Sequence, residues 1–110
     1  MSDEDLQHYH RVLTTLRREL AATLETSREN TVPVSPDAAI GRLTRQDAMQ
    51  SQQMALELQR RSRQHLAQID AALRRIAGGT FGYCVRCEEE IGAARLKVKP
   101  EAHLCVRCAR

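Results

Sequence analysis

Four cysteines in two pairs are the residues best suited to chemistry in this chain. Cys84-Val-Arg-Cys87 and Cys105-Val-Arg-Cys108 form the pattern C-x2-C-x17-C-x2-C. A two-residue gap in a tight turn lets both sulfurs of a pair point at one ion. Two such turns supply four tetrahedral corners at about 2.3 Å from zinc. Four thiolates close the coordination shell, so the expected cofactor is one structural Zn2+ per chain, not a catalytic ion. Other uses of the same residues fit less well. Paired disulfides need an oxidising compartment, to which nothing in the sequence points. A thioredoxin-like redox pair needs a βαβ context that is missing, while iron in the same sulfur cage stays open. His8 and His10 have no partner spacing for a metal. His103 stands two before Cys105 and could compete as a ligand, although four thiolates already complete the shell, and all three read as surface histidines. No serine–histidine–acid set and no paired carboxylates stand beside the cysteines, so no enzymatic activity is expected.

The elements that position the cysteines must do so with little aromatic bulk. Among 110 residues there are two tyrosines, one phenylalanine and no tryptophan, and 28% of residues are charged. The mean hydropathy is −0.49. Aromatic side chains bury the most area each, so a dense core of the usual kind is not available. Structural zinc, contributing about 10–16 kcal/mol to folding, is the expected remedy. The net charge of +3 is too mild to signal nucleic-acid binding. No run approaches the roughly 18 apolar residues of a membrane span. The opening Met1-Ser2-Asp3-Glu4-Asp5 is acidic and lacks a hydrophobic signal region, so a cytoplasmic location is expected.

Periodicity predicts a mainly α fold: a long antiparallel helical hairpin, of coiled-coil type, over residues 1–79, and a small four-cysteine zinc finger over 80–110. Leu6, Tyr9, Leu13, Leu16, Leu20 and Leu24 recur in steps of three and four and predict a first helix over 3–27, with Ser2 as its cap. Asn30, Pro33 and Pro36 interrupt it, and the hairpin tip is placed around 28–48. A second helix is predicted from between Asp37 and Leu43 to Ala77, where Gly78-Gly79 ends it. Its seam is read as Leu43, Asp47, Met54, Leu58, Leu66, Ile69, Leu73 and Ile76, with Met49 and Met54 as gap-filling residues. At 1.5 Å per residue the helices span about 36 and 50 Å, so roughly the last ten residues of the second should outrun the first. Phe81, Tyr83, Ile91, Leu96, Val98 and Leu104 are expected to form a cluster that seats this overhang.

The cysteine region resembles the DksA/TraR family of bacterial RNA polymerase-binding factors. The resemblance rests on Phe81-Gly82-Tyr83-Cys84-x-x-Cys87, Ile91-Gly92, Arg95-Leu96, Pro100 and Leu104-Cys105-x-x-Cys108, about thirty residues in all. It implies a protein that inserts its hairpin into the secondary channel of RNA polymerase and modulates transcription initiation without sequence-specific DNA contact. The family's best-known members carry D-x-x-D-x-A at the tip. Ungapped counting puts Gly41, Thr44 and Gln46 there, and none matches. Nearby, Leu43-Thr44-Arg45-Gln46-Asp47-Ala48 is similar to the text of short DksA-like proteins. That makes Leu43, Arg45, Asp47 and Ala48 the expected polymerase-facing tip. Arg61 falls on one basic position that the family uses toward the alarmone ppGpp, whereas Gln68 and Ala109 replace expected lysines. The chain ends at Arg110, where the family continues into a C-terminal helix.

Two rivals come from other classes. One is a zinc-ribbon nucleic-acid module using Arg86, Lys97, Lys99, Arg107 and Arg110, against which stand the acidic run Glu88-Glu89-Glu90 and the lack of stacking aromatics. The other is a coiled-coil adaptor dimerising through the second helix, where the main reading expects a monomer.

Overall fold

The computed structural model describes residues 1–30 and 41–109, with the side chains of 27–30 and 41–48 outside that description. Ser2 opens the first helix, α1 (Asp3–Asn30), through a reciprocal cap. The Asp5 N–H donates to the Ser2 hydroxyl at 3.2 Å, and the Ser2 N–H donates to the Asp5 carboxylate at 3.4 Å. The second helix, α2 (Gly41–Gly78), begins within the expected window and ends at its glycines. Gly79 takes φ +78° there, so its N–H reaches the Ile76 carbonyl and the Thr80 N–H reaches that of Arg75. A short third helix, α3 (Ala93–Val98), lies between the two cysteine pairs. Among the described residues the other regular pairing is a single antiparallel bridge, Tyr83 with Glu90.

The two long helices pack antiparallel. The Arg17 guanidinium donates to the Asp70 carboxylate at 2.6 Å, and Ala21 and Leu24 face Arg63 and Leu66 in the same register. That register carries Tyr9 to Phe81, whose rings lie 5.4 Å apart. It also brings the end of α1 about level with Glu57, so the overhang is the reverse of the expected one. Leu66 lies beside Ala21 and Leu24 of α1, Ile69 is buried in the core shared with the cysteine region, and Leu73 and Ile76 pack against that core. It is therefore the tip-side turns of α2 that run on. A shared core at the base sets this offset. Tyr9 and Leu13 from α1, Ile69 and Ala72 from α2, and Phe81, Ile91 and Leu96 from the cysteine region are buried in one cluster.

The seam of α2 needs correction in its first half. Met54 and Leu58 are 68% and 60% exposed, and Met49 is exposed as well. Gln52, Ala55, Gln59 and Ser62 turn inward instead, continuing the three–four spacing back from Leu66. The expectations for Leu43 and Asp47 lie outside the described residues. Two members of the expected cluster also stand out of it. Val98 is 87% exposed, two residues and more than half a turn from the buried Leu96. Tyr83 is exposed because Gly82, at φ +91°, breaks the alternation that would have placed it beside Phe81.

Candidate metal centre

Two turns bring the cysteines together. In the first, the Glu88 N–H donates to the Cys84 carbonyl at 2.9 Å, and the Cys84 N–H returns to the Glu89 carbonyl at 2.7 Å. Glu88 closes this turn at φ +65°, a left-handed conformation rare for a residue with a Cβ. In the second, the Ala109 N–H donates to the Cys105 carbonyl at 2.9 Å. The Val85 N–H ties one turn to the other through the His103 carbonyl at 2.9 Å. The four thiol sulfurs lie within 4.8 Å of one another, and those of Cys87 and Cys105 are 3.7 Å apart. Four sulfurs at about 2.3 Å around a tetrahedral zinc stand about 3.8 Å from each other, so the cage has the right size. All four cysteines are free thiols.

The four thiols do not ionise independently. Cys84 is drawn down to about 6, first by the Cys87 backbone N–H and then by those of Cys105 and Arg86, against the cost of burial. Cys105 is lowered in the same way, chiefly by the Cys108 N–H. Cys108 is pushed up to about 12 by its hydrogen bond with Cys105 and by burial. For Cys87 the Glu89 N–H favours the thiolate, but burial and its neighbours Cys84 and Cys105 carry it upward. Four sulfurs this close cannot all be anionic without a cation among them; zinc supplies that charge. Cys84 and Cys105 are also buried members of the core that holds Tyr9, Leu13 and Ile69. The cage and the base of the hairpin are therefore one packing unit.

The other expected site residues are not gathered here. Leu43, Arg45, Asp47 and Ala48 belong to the first turns of α2, and their side chains lie outside the described residues. Arg61 is exposed part-way along α2, and its Nε donates to the Glu57 carboxylate at 3.3 Å. Arg60 shares that carboxylate, at 2.6 and 3.0 Å. Gln68 is half-buried on the same helix. One contact at the site had no signal in the sequence. His65 of α2 meets the buried Glu101, thirty-six residues away, at 3.0 Å.

Comparison with known proteins agrees with this geometry. The family model for the prokaryotic dksA/traR C4-type zinc finger matches residues 79–110. An RNA polymerase-binding transcription factor DksA from Haemophilus influenzae is 31% identical over 98% of this chain and 74% of that protein. The chain belongs to the DksA/TraR family. The DksA of Escherichia coli K12 is 32% identical to this family member, over 98% of the chain and 71% of that protein. The structure of transcription factor DksA2 from Pseudomonas aeruginosa superposes with a TM-score of 0.79 at 26% identity, covering 98% of this chain and 82% of the other. As a DksA/TraR protein the chain carries a C4-type zinc finger with one structural Zn2+. Among the described residues, no helix is long and apolar enough to cross a membrane.

Proposed function

We propose that this chain is a bacterial transcription regulator that binds RNA polymerase and modulates initiation by inserting its hairpin into the secondary channel. The observation that carries this reading is the match of 98% of the chain, helices as well as zinc finger, to proteins named RNA polymerase-binding transcription factor DksA. Shape supports it. The molecule measures 60 × 28 × 20 Å with a radius of gyration of 19.0 Å, against about 13 Å for a compact chain of this length. A probe of these proportions reaches into a narrow channel while its base stays outside.

In this reading Cys84, Cys87, Cys105 and Cys108 hold the zinc and fix the base, and α2 is the arm. Leu43, Arg45, Asp47 and Ala48 lie toward the end that enters. A carboxylate at Asp47 near the polymerase active site perturbs the field at its catalytic magnesium. Arg61 is a weak alarmone contact, because Glu57 already engages its guanidinium and the expected lysines are Gln68 and Ala109. The protein acts in the cytoplasm, as a monomer and without sequence-specific DNA contact.

Competition tests the proposal. Zinc-loaded protein should capture core polymerase, and a second factor that occupies the secondary channel should displace it. Capture indifferent to that competitor rejects channel insertion. In run-off transcription from a ribosomal promoter, Asp47→Asn should weaken the effect on initiation without weakening capture, and ppGpp should add little. A gel shift on promoter DNA that weakens steeply with salt would instead favour the nucleic-acid module.

A further inference from the structure

The joint between α2 and the cysteine region combines buried apolar residues with two polar contacts. Ala72 of α2 and Ala102 are both buried there. His65 and Arg75 flank Ala72 at spacings of seven and three, which puts all three on one side of the helix. Each reaches across. His65 Nε2 lies 3.0 Å from Glu101 Oε1, and Arg75 Nη2 donates to the Ala102 carbonyl at 3.5 Å. The Ala102 N–H in turn bonds the Lys99 carbonyl at 3.0 Å, closing the turn that carries Glu101.

The two polar contacts are unequal. That of Arg75 is long, and its buried Nε has no hydrogen-bond partner. Glu101 is 6% exposed, while the His65 side chain is 42% exposed. The contact needs one proton between His65 Nε2 and Glu101 Oε1, which an imidazole N–H supplies where the carboxylate is ionised. A buried carboxylate needs such a donor, and His65 supplies it from the neighbouring element. Apolar packing, such as that of Ile69 and Ala72 in the core shared with this region, has no directional preference of its own. Direction at this joint therefore falls to the pair with good hydrogen-bond geometry.

We propose that His65 and Glu101 form a latch, a pair of positioning residues that mounts the zinc module on α2 in the orientation RNA polymerase engages. This rests on the polymerase-binding reading above. The experiment uses the full zinc-loaded chain and four variants: His65→Ala, Glu101→Ala, Glu101→Gln and the double alanine variant. Zinc content and helical circular dichroism serve as controls for folding, and amide exchange and affinity for core polymerase are the readouts. Each single alanine variant should keep one zinc per chain and full helix content. His65→Ala, which leaves the buried Glu101 unpaired, should speed exchange of the amides of 99–104 and weaken polymerase affinity by on the order of tenfold, and Glu101→Ala, which leaves an imidazole that water can reach, by several-fold. Glu101→Gln still hydrogen-bonds the imidazole and should stay within about twofold of wild type. The double variant should fall no further than the worse single one, the signature of a coupled pair.

Wild-type affinity in Glu101→Ala overturns the latch, as does a Glu101→Gln variant as weak as Glu101→Ala. Should the wild-type chain not bind polymerase at all, the functional reading fails and exchange alone decides the latch. Amides of 99–104 as slow in His65→Ala as in wild type then overturn it, and faster ones support it.

Discussion

Glu57 accepts hydrogen bonds from Arg60 and Arg61 together, and its carboxyl is held down at about 2 from its usual 4.5, chiefly by the Arg60 hydrogen bond. A lowered carboxyl favours the fold at every pH above its usual range, and that contribution is lost as pH falls from about 4.5 toward 2. Replacing Glu57 with Gln removes the contribution at all pH values. Thermal midpoints of wild type and Glu57→Gln should differ most at pH 5 to 7, converge as pH falls and meet near pH 2. A gap that does not change with pH would contradict this assignment. The effect is modest, since all three side chains are exposed to water and salt. Residues of this scale differ in how well the sequence shows them. The cysteine pairs were legible because a two-residue gap dictates a shared ion locally. His65 and Glu101 were not, because their meeting depends on how a finger docks against a helix.

Helix identity was legible for a similar reason, and helix register was not. Ser2 with Asp5, and Gly79 after α2, act within a turn of where they stand, so both helix ends were readable. The seam of α2 is decided by its partner. Met54 and Leu58 keep a four-residue spacing that looks like a seam, yet Gln52, Ala55, Gln59 and Ser62 face inward, because Ile69 and Leu73 set the phase from the base. Propensity and hydropathy are blind to this, as they do not record where α1 begins relative to α2. The corrected register has a measurable consequence. Ile69→Ala should destabilise the zinc-loaded protein by about 2–4 kcal/mol, since a fully buried branched side chain leaves a cavity. Met54→Gln and Leu58→Gln should change stability by less than about 0.5 kcal/mol, as exposed positions do. Denaturant unfolding of the three variants separates the registers, and a large loss in Leu58→Gln would restore the seam read from the sequence.

At the scale of the whole molecule, the buried apolar cluster of the described residues lies at one end of a 60 Å body. The scarcity of aromatics is met there by placing two of the three, Tyr9 and Phe81, in ring contact, and by burying Cys84 and Cys105 in the same cluster. Metal binding and helix packing at the base are therefore linked. Zinc lets four close sulfurs ionise together, and the turns that carry them support Phe81, Ile91 and Leu96 against Tyr9, Leu13 and Ile69. Removing zinc should loosen the helices from the base inward, not from the tip. After chelation, amide exchange should accelerate across 66–77 of α2 and 6–13 of α1, as well as through 81–108. Residues 49–58 should change little, because the overhanging part of α2 does not draw on that core. Hydrogen exchange with mass spectrometry before and after chelation reads all these segments at once. Protection at 66–77 that survives metal loss would show the hairpin to be stable without its clamp, and uniform loss along α2 would show the helices to be one cooperative unit with the finger.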